Sequence, residues 1–204
     1  MRILVVGGCG SGVGKTTLIC RVLEALPGWG AIKVSPAHGA TARSRGARHV
    51  DHGLVGPYSI DVAEHGSPHS DTARFRAAGA LRVLWIRSRP SRLGDALSEG
   101  LSALSGVPGV IVEGNSAARH LEAIAVALVA RSGRREVKAS AVALAGRADW
   151  LVLNRSAAEG LADDEPGCVE ARLGKPVSFL VDAARSSDAG TVAFLGAIRA
   201  WARR

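Results

Sequence analysis

The feature that most constrains this chain is a glycine-rich stretch near its start. Gly7-Gly8-Cys9-Gly10-Ser11-Gly12-Val13-Gly14-Lys15-Thr16-Thr17 follows the apolar run Ile3 to Val6 and leads into a helical pattern. A strand, a glycine loop and a helix N-terminus in that order let backbone N–H groups converge on phosphate oxygens, and the helix dipole adds positive potential there. On this reading Gly10, Ser11, Gly12, Val13 and Gly14 cradle the phosphates. Lys15 reaches the terminal ones, the Thr16 hydroxyl binds Mg²⁺, and Thr17 completes the nucleotide-binding set. The alternative is a glycine-rich turn with no ligand. The usual spacing puts a glycine five residues before Gly14; Cys9 stands there, and Gly8 lies one residue further back. Cys9 is either a redox-sensitive thiol or a small residue tolerated by the loop.

The rest of the chain alternates strand and helix patterns. Leu18, Ile19, Val22, Leu23 and Leu26 share one face of a helix over 16–26, which Pro27 and Gly28 end. Strands are expected at 31–34, 81–86, 110–112, 124–130, 150–153 and 177–181, with an edge strand near 58–62. Helices are expected at 71–78, 91–104 and near 138–145, and at the C-terminus, where Phe194, Leu195, Ile198 and Trp201 form a buried face. This alternation predicts an α/β protein of three layers, a mostly parallel sheet covered by helices on both faces. Combined with the glycine loop, that is the P-loop NTPase fold. The 204 residues read as one such domain, 1–204, with a Gly/His/Arg-rich insert at about 36–70. Aromatic residues are only 4%, so the core must be mostly Ala, Val, Leu and Ile.

Composition narrows the function classes. Cys9, Cys20 and Cys168 are far apart, which excludes a disulfide framework and a four-thiolate zinc site. The apolar run at 3–6 is too short for a signal peptide and that at 124–130 too short to span a membrane, so the chain is expected to be soluble and cytoplasmic. The net charge of +8 is spread along the chain without a basic tail. It fits a solvated basic surface with anionic small-molecule ligands better than it fits a nucleic-acid partner.

In parallel α/β sheets ligands bind at the carboxyl ends of the strands, so the residues there are the next candidates. Glu113 ends the strand 110–112 and is a second Mg²⁺ ligand, or else a loop carboxylate at the surface. Lys33 lies in a buried strand and needs a polar destination: nucleotide phosphates, an anionic substrate, or solvent. Lys15, Lys33 and Glu113 form the candidate catalytic set. Asn154-Arg155 ends another strand; an Asn carboxamide suits a purine edge, though it also suits a turn. Guanine-specific GTPases add an Asp two residues after the basic one, and Ala157 stands there. His38, His49, His52, His65 and His69 crowd the insert, with Asp51, Asp61 and Asp71 near them. They are either loop histidines facing solvent or anions, or a Zn²⁺ or Ni²⁺ site, the latter fitting a metallochaperone GTPase.

Four segments resemble the molybdopterin-guanine dinucleotide biosynthesis protein B (MobB) family. They are the loop at 10–18, Ile32-Lys33, the run Ser70 to Ala80 (Ser-Asp-Thr-Ala-Arg-Phe-Arg-Ala-Ala-Gly-Ala), and Val112-Glu113-Gly114. The resemblance implies a P-loop fold and a GTP-binding, typically dimeric accessory protein. Such a protein acts with a partner when guanine nucleotide is attached to the molybdenum cofactor. It places Lys15 and Thr16 on the phosphates and Mg²⁺, Glu113 on the metal, and Asp71 near the site in an unassigned role. The second half, with Glu113-Gly114 and Asn154, is also similar to the dethiobiotin synthetase and cobyrinic acid synthase group. That similarity implies ATP and activation of a small acid, with Lys33 near the phosphates. The ligand is therefore GTP or ATP with Mg²⁺.

Overall fold

The computed structural model describes residues 1–37, 54–63, 67, 69–122, 124–134, 136–155 and 165–204. Eight strands form one sheet: β1 (Arg2–Gly8), β2 (Gly30–Pro36), β3 (Tyr58–Val62), β4 (Val83–Ser88), β5 (Gly109–Glu113), β6 (Ala125–Arg131), β7 (Trp150–Asn154) and β8 (Phe179–Val181). Their order is β3-β4-β2-β5-β1-β6-β7-β8. Every pairing is parallel except β3 with β4. The helices are α1 (Lys15–Ala25), α2 (Asp71–Ala77), α3 (Leu93–Ala103), α4 (Ala139–Ala145), α5 (Glu165–Leu173) and α6 (Ala189–Arg203). This is the α/β architecture expected from the alternation.

The sheet splits the apolar residues into two cores by simple parity. Successive strand side chains point to opposite faces. Val5, Val110, Val112, Val126 and Leu128 face α3, α4 and α5 through Leu97, Ala141, Leu144 and Val169. Leu4, Val6, Ile111, Ala127 and Val129 face α1, α2 and α6 through Leu18, Val22, Phe75 and Phe194. The sides follow from handedness. Parallel crossovers are right-handed, so a connection that moves one way along the sheet lies on the opposite face from one that moves the other way. The β1-to-β2 step runs one way and puts α1 on one face. The steps β4-to-β5, β6-to-β7 and β7-to-β8 run the other way and put α3, α4 and α5 on the other.

Several boundaries differ from the sequence reading for local reasons. The expected helix 91–104 begins instead as a 3-10 turn at Pro90–Arg92, and α3 starts at Leu93. Leu81 is 64% exposed and lies outside β4, its N–H donating to Trp29 O at 2.8 Å. Val177 lies outside the three-residue β8; its N–H donates to the Glu170 carboxylate at 2.6 Å. Helix α5 was not anticipated; it carries Pro166 and Gly167 in its first turn. Proline is tolerated in a first helical turn, where its missing N–H has no intrahelical partner to lose.

Phe194 anchors α6. It is fully buried, with edge-to-face contacts to Phe179 at 5.5 Å and Trp150 at 6.4 Å between ring centroids. Phe194→Ala removes that packing and is expected to cost about 3–5 kcal/mol, read from the urea midpoint.

Candidate functional site

The glycine loop joins β1 to α1 at the carboxyl end of the sheet, where the strand order reverses direction around β1. Gly14 caps α1 with φ +95°, a left-handed conformation that favours glycine. A side chain there would also collide with Asn154, since an ideal Cβ would lie 2.1 Å from its Nδ2. No acidic residue of α1 itself occupies its first turn.

Two asparagines hold the loop from either side. Asn115 pairs with both backbone groups of Gly8, accepting from its N–H at 2.7 Å and donating to its carbonyl at 3.0 Å. Asn154 donates to Val13 O at 3.0 Å and accepts from the Ala183 N–H at 3.1 Å. Asn154 is 8% exposed, and its carboxamide ties the loop to the chain after β8. The base-reading role expected of Asn154 thus meets a side chain already engaged in positioning. Arg155 reaches Asp188 at 3.6 Å. Cys9 is buried, and burial pushes its thiol up to about 11 against the lowering effect of Lys15. A thiol held protonated is a poor redox centre, so the small-residue reading is the one supported.

Strand parity brings the charged candidates to one face. Lys33 and Glu113 are register partners on adjacent strands and lie on the side of α1 and α2. Asp71, the first residue of α2, meets them there. It hydrogen bonds and ion-pairs with Lys33 through one oxygen and accepts from the Thr16 hydroxyl at 2.9 Å through the other. This gives Asp71 the role that sequence alone left open: it links the second residue of α1 to the lysine of β2. Ser70 fixes its position by capping α2, accepting from the Ala73 N–H. Lys15 folds back on the loop and donates to Gly10 O at 3.2 Å.

The electrostatics of this cluster pull in opposite directions. Burial would raise the carboxyl of Asp71, but the hydrogen bond and charge of Lys33, with the Thr16 hydroxyl, together hold it below the usual range. Burial raises Glu113, and Lys33 at 3.9 Å only partly offsets it. Its Oε2 is buried without a hydrogen-bond partner. A buried carboxylate oxygen without a hydrogen bond, linked through Lys33 to Asp71 and so to the Thr16 hydroxyl, is donor chemistry that a hard divalent cation takes. Burial also lowers Lys15, with Glu113 opposing and Lys138 reinforcing.

The cluster opens into a cleft of about 740 Å³. Gly8, Gly10, Lys15, Lys33 and Glu113 line one end, and Lys138 stands beside it with Nζ 3.5 Å from Ser11 Oγ. The sequence reading missed Asn115 and Lys138. Asn115 directly follows Glu113-Gly114 and was a visible candidate; Lys138 enters from the loop before α4 and carries no local signal. His38, His49, His52 and His65 lie outside the described residues, as does Ala157. No three His, Cys, Asp or Glu side chains cluster as metal ligands among the described residues. No helix among them is long and apolar enough to cross a membrane.

No family model matches the chain. No curated protein matches it. Among solved structures it is similar to a ParA family ATPase from Chlorobium tepidum TLS, at 14% identity and a TM-score of 0.45, covering 88% of this chain and 84% of that one.

The opposed shifts make a test of the ligand-free protein. Glu113's folded pKa lies above its unfolded value, so its ionisation opposes folding above roughly pH 4.3. Glu113→Gln should therefore raise the melting temperature at pH 7 by about 2–4 °C, for a gain near 1 kcal/mol. That gain should vanish toward pH 4, where the wild-type carboxyl is protonated in both states. Asp71 runs the other way. Its contribution is present above roughly pH 4 and is lost as pH falls through its folded pKa, so Asp71→Asn should flatten the acid limb of the stability profile.

Proposed function

We propose that this chain binds a Mg²⁺–nucleoside triphosphate at the glycine loop and hydrolyses it slowly. The observation that carries this reading is the meeting of Lys15, Thr16, Lys33, Asp71 and Glu113 at the N-terminus of α1, with one Glu113 oxygen buried and without a hydrogen bond. Gly10, Ser11, Gly12, Val13 and Gly14 supply backbone donors, while Lys15 and Lys33 supply charge to the terminal phosphates. Thr16 and Glu113, with Asp71 beside them, would hold Mg²⁺, which neutralises charge on the β- and γ-phosphate oxygens when bound.

In this site the protein's own groups position and stabilise rather than form covalent bonds. Asp71 holds Lys33 at the cleft and the Thr16 hydroxyl at the helix start. Asn115 and Asn154 keep the loop's shape without occupying its inward N–H groups. Such preorganised donors need little rearrangement when charge develops on the phosphoryl oxygens. Asn154 and Arg155 put the base toward β7, where Asn154 keeps one amide proton outside its Val13 bond.

At the level of biological role, the MobB resemblance supports an accessory NTPase in molybdenum cofactor guanine dinucleotide assembly. A homodimer and a cofactor-assembly partner belong to that proposal. Its support is the Ser70–Ala80 segment, whose Asp71 enters the site.

The experiment is thermal unfolding with Mg²⁺ and ATP or GTP. A native-state ligand at one hundred times its Kd adds about 2.7 kcal/mol, or roughly 5–10 °C for a chain of this size. Lys15→Ala should abolish that shift and leave the ligand-free melting cooperative. A variant that keeps the full shift would contradict the phosphate assignment.

A further inference from the structure

The phosphate loop touches a third segment besides α1 and the turn after β5. The chain that leaves β6 and enters α4 is tied to it repeatedly. Arg131 donates from Nη1 to Gly12 O at 3.2 Å, and the Lys138 N–H donates to Cys9 O at 2.9 Å. Ser140 Oγ accepts from Asn115 Nδ2 at 3.0 Å, and Asn115 in turn pairs with Gly8. Lys138 Nζ stands 3.5 Å from Ser11 Oγ. Lys138 is therefore seated on the loop by its own backbone, and its side chain lines the cleft with Lys15, Lys33 and Glu113.

An exposed lysine is usually a solvated surface charge. Lys138 differs in its surroundings. No carboxylate pairs with it among the described residues, whereas Lys33 meets both Asp71 and Glu113. Its charge is felt in the site. Burial is the main cause that lowers Lys15; Glu113 opposes it, and the like charge of Lys138 comes next and adds to the lowering. Two ammonium groups that repel each other across a cleft favour an anion between them. The strand order adds direction. β2 and β6 lie on opposite sides of β1, so Lys33 and Lys138 approach the loop from opposite flanks, with Lys15 between them.

We propose that Lys138 is a further catalytic residue, a cation supplied by the same chain that contacts the γ-phosphate from the flank opposite Lys33. This rests on the nucleotide reading above and adds a residue to it. In hydrolysis a water oxygen forms the new bond to the γ-phosphorus. The bond from the γ-phosphorus to the β,γ-bridging oxygen breaks, and its electron pair leaves on the nucleoside diphosphate. One water proton stays on the released phosphate and the other passes to solvent; nothing is oxidised or reduced. A cation within reach of the γ-phosphate oxygens stabilises the charge spread over them in the transition state. Lys33 is held by Asp71, but Lys138 gives up only a long contact to a neutral hydroxyl. Its ammonium can therefore follow the developing charge without breaking an ion pair.

The test measures steady-state hydrolysis by the full chain, with Mg²⁺ and whichever of ATP or GTP shifts its melting curve. Wild type is compared with Lys138→Ala, Lys138→Arg and Arg172→Ala. Arg172, in the last turn of α5, removes the same charge near the amino ends of the strands, away from the cleft. Lys138→Ala should lower kcat about tenfold or more, the scale of one charge-assisted hydrogen bond, and change the half-saturating nucleotide concentration less than about threefold. Lys138→Arg should recover part of the loss, and Arg172→Ala should match wild type. The unliganded melting temperature of each variant checks its fold. Mixed Lys15→Ala and Lys138→Ala chains should turn over no more than the two do separately; restored turnover would show Lys138 serving a neighbouring chain and overturn the assignment. A Lys138→Ala kcat equal to wild type, a loss confined to KM, or an equal loss in Arg172→Ala also overturns it and leaves the loop reading standing. If neither nucleotide shifts the melting curve or is turned over, the NTPase reading of the loop fails and Lys138 fails with it.

Discussion

The structure depends on how β1 leaves the sheet. β1 is the strand about which the order reverses, paired on both sides, and its last residues must turn at once into a helix that starts at Lys15. On one side β6 continues beside Gly7 and Gly8, but on the other the pairing with β5 ends at Val6 and Glu113, and the buried N–H and C=O groups beyond it need partners. Asn115 supplies them for Gly8 as a strand would, with one acceptor and one donor. On the other flank Asn154 fixes Val13 O and also holds the Ala183 N–H, so the loop, β7 and the chain after β8 share one carboxamide. The loop is held by groups outside it.

The second constraint is charge placed where charge is costly. Lys33 and Glu113 occupy strand positions whose neighbours on the same face pack against α1 and α2. A buried ion pair is weak evidence for stability, because desolvation can exceed the attraction. This cluster is also incompletely satisfied: Asp71 takes the hydrogen bond of Lys33, and Glu113 Oε2 is left with a 3.9 Å ion pair to the same lysine and no hydrogen bond. A hydrophobic pair would fold as well or better at these positions. On the proposed reading, a ligand bearing both a cation and negative oxygens would satisfy Glu113 and Lys33 together.

Much of this was legible in the residues. The β1–loop–α1 unit followed from the glycines between an apolar run and a helical period. Parity did more: Lys33 is two residues beyond Ala31, Glu113 two beyond Ile111, and Asn154 two beyond Val152, and all three partners face α1. The site could thus be assembled from period two once the strands were placed. The contacts that depend on tertiary position could not. The family resemblance put Asp71 near the site, but its role is not legible until α2 is docked beside α1, where it meets Thr16. Asn154 was legible as a polar strand end, but its purpose was not, since Val13 and Ala183 are remote in sequence. Helix α5 carries Pro166 and Gly167, which signal a break unless they fall in the first turn.

The account's central claim is that the cluster at the start of α1 binds nucleotide through a cation held by Glu113 and Thr16. The most direct measurement is a calorimetric titration of ATP and GTP into the full chain at several fixed free Mg²⁺ concentrations, repeated with Glu113→Gln. The account predicts saturable binding at one nucleotide per chain, tightened about tenfold or more by Mg²⁺ in the wild type and much less in the variant. Binding that is equally tight with and without Mg²⁺, or a Mg²⁺ dependence that Glu113→Gln leaves intact, would contradict it.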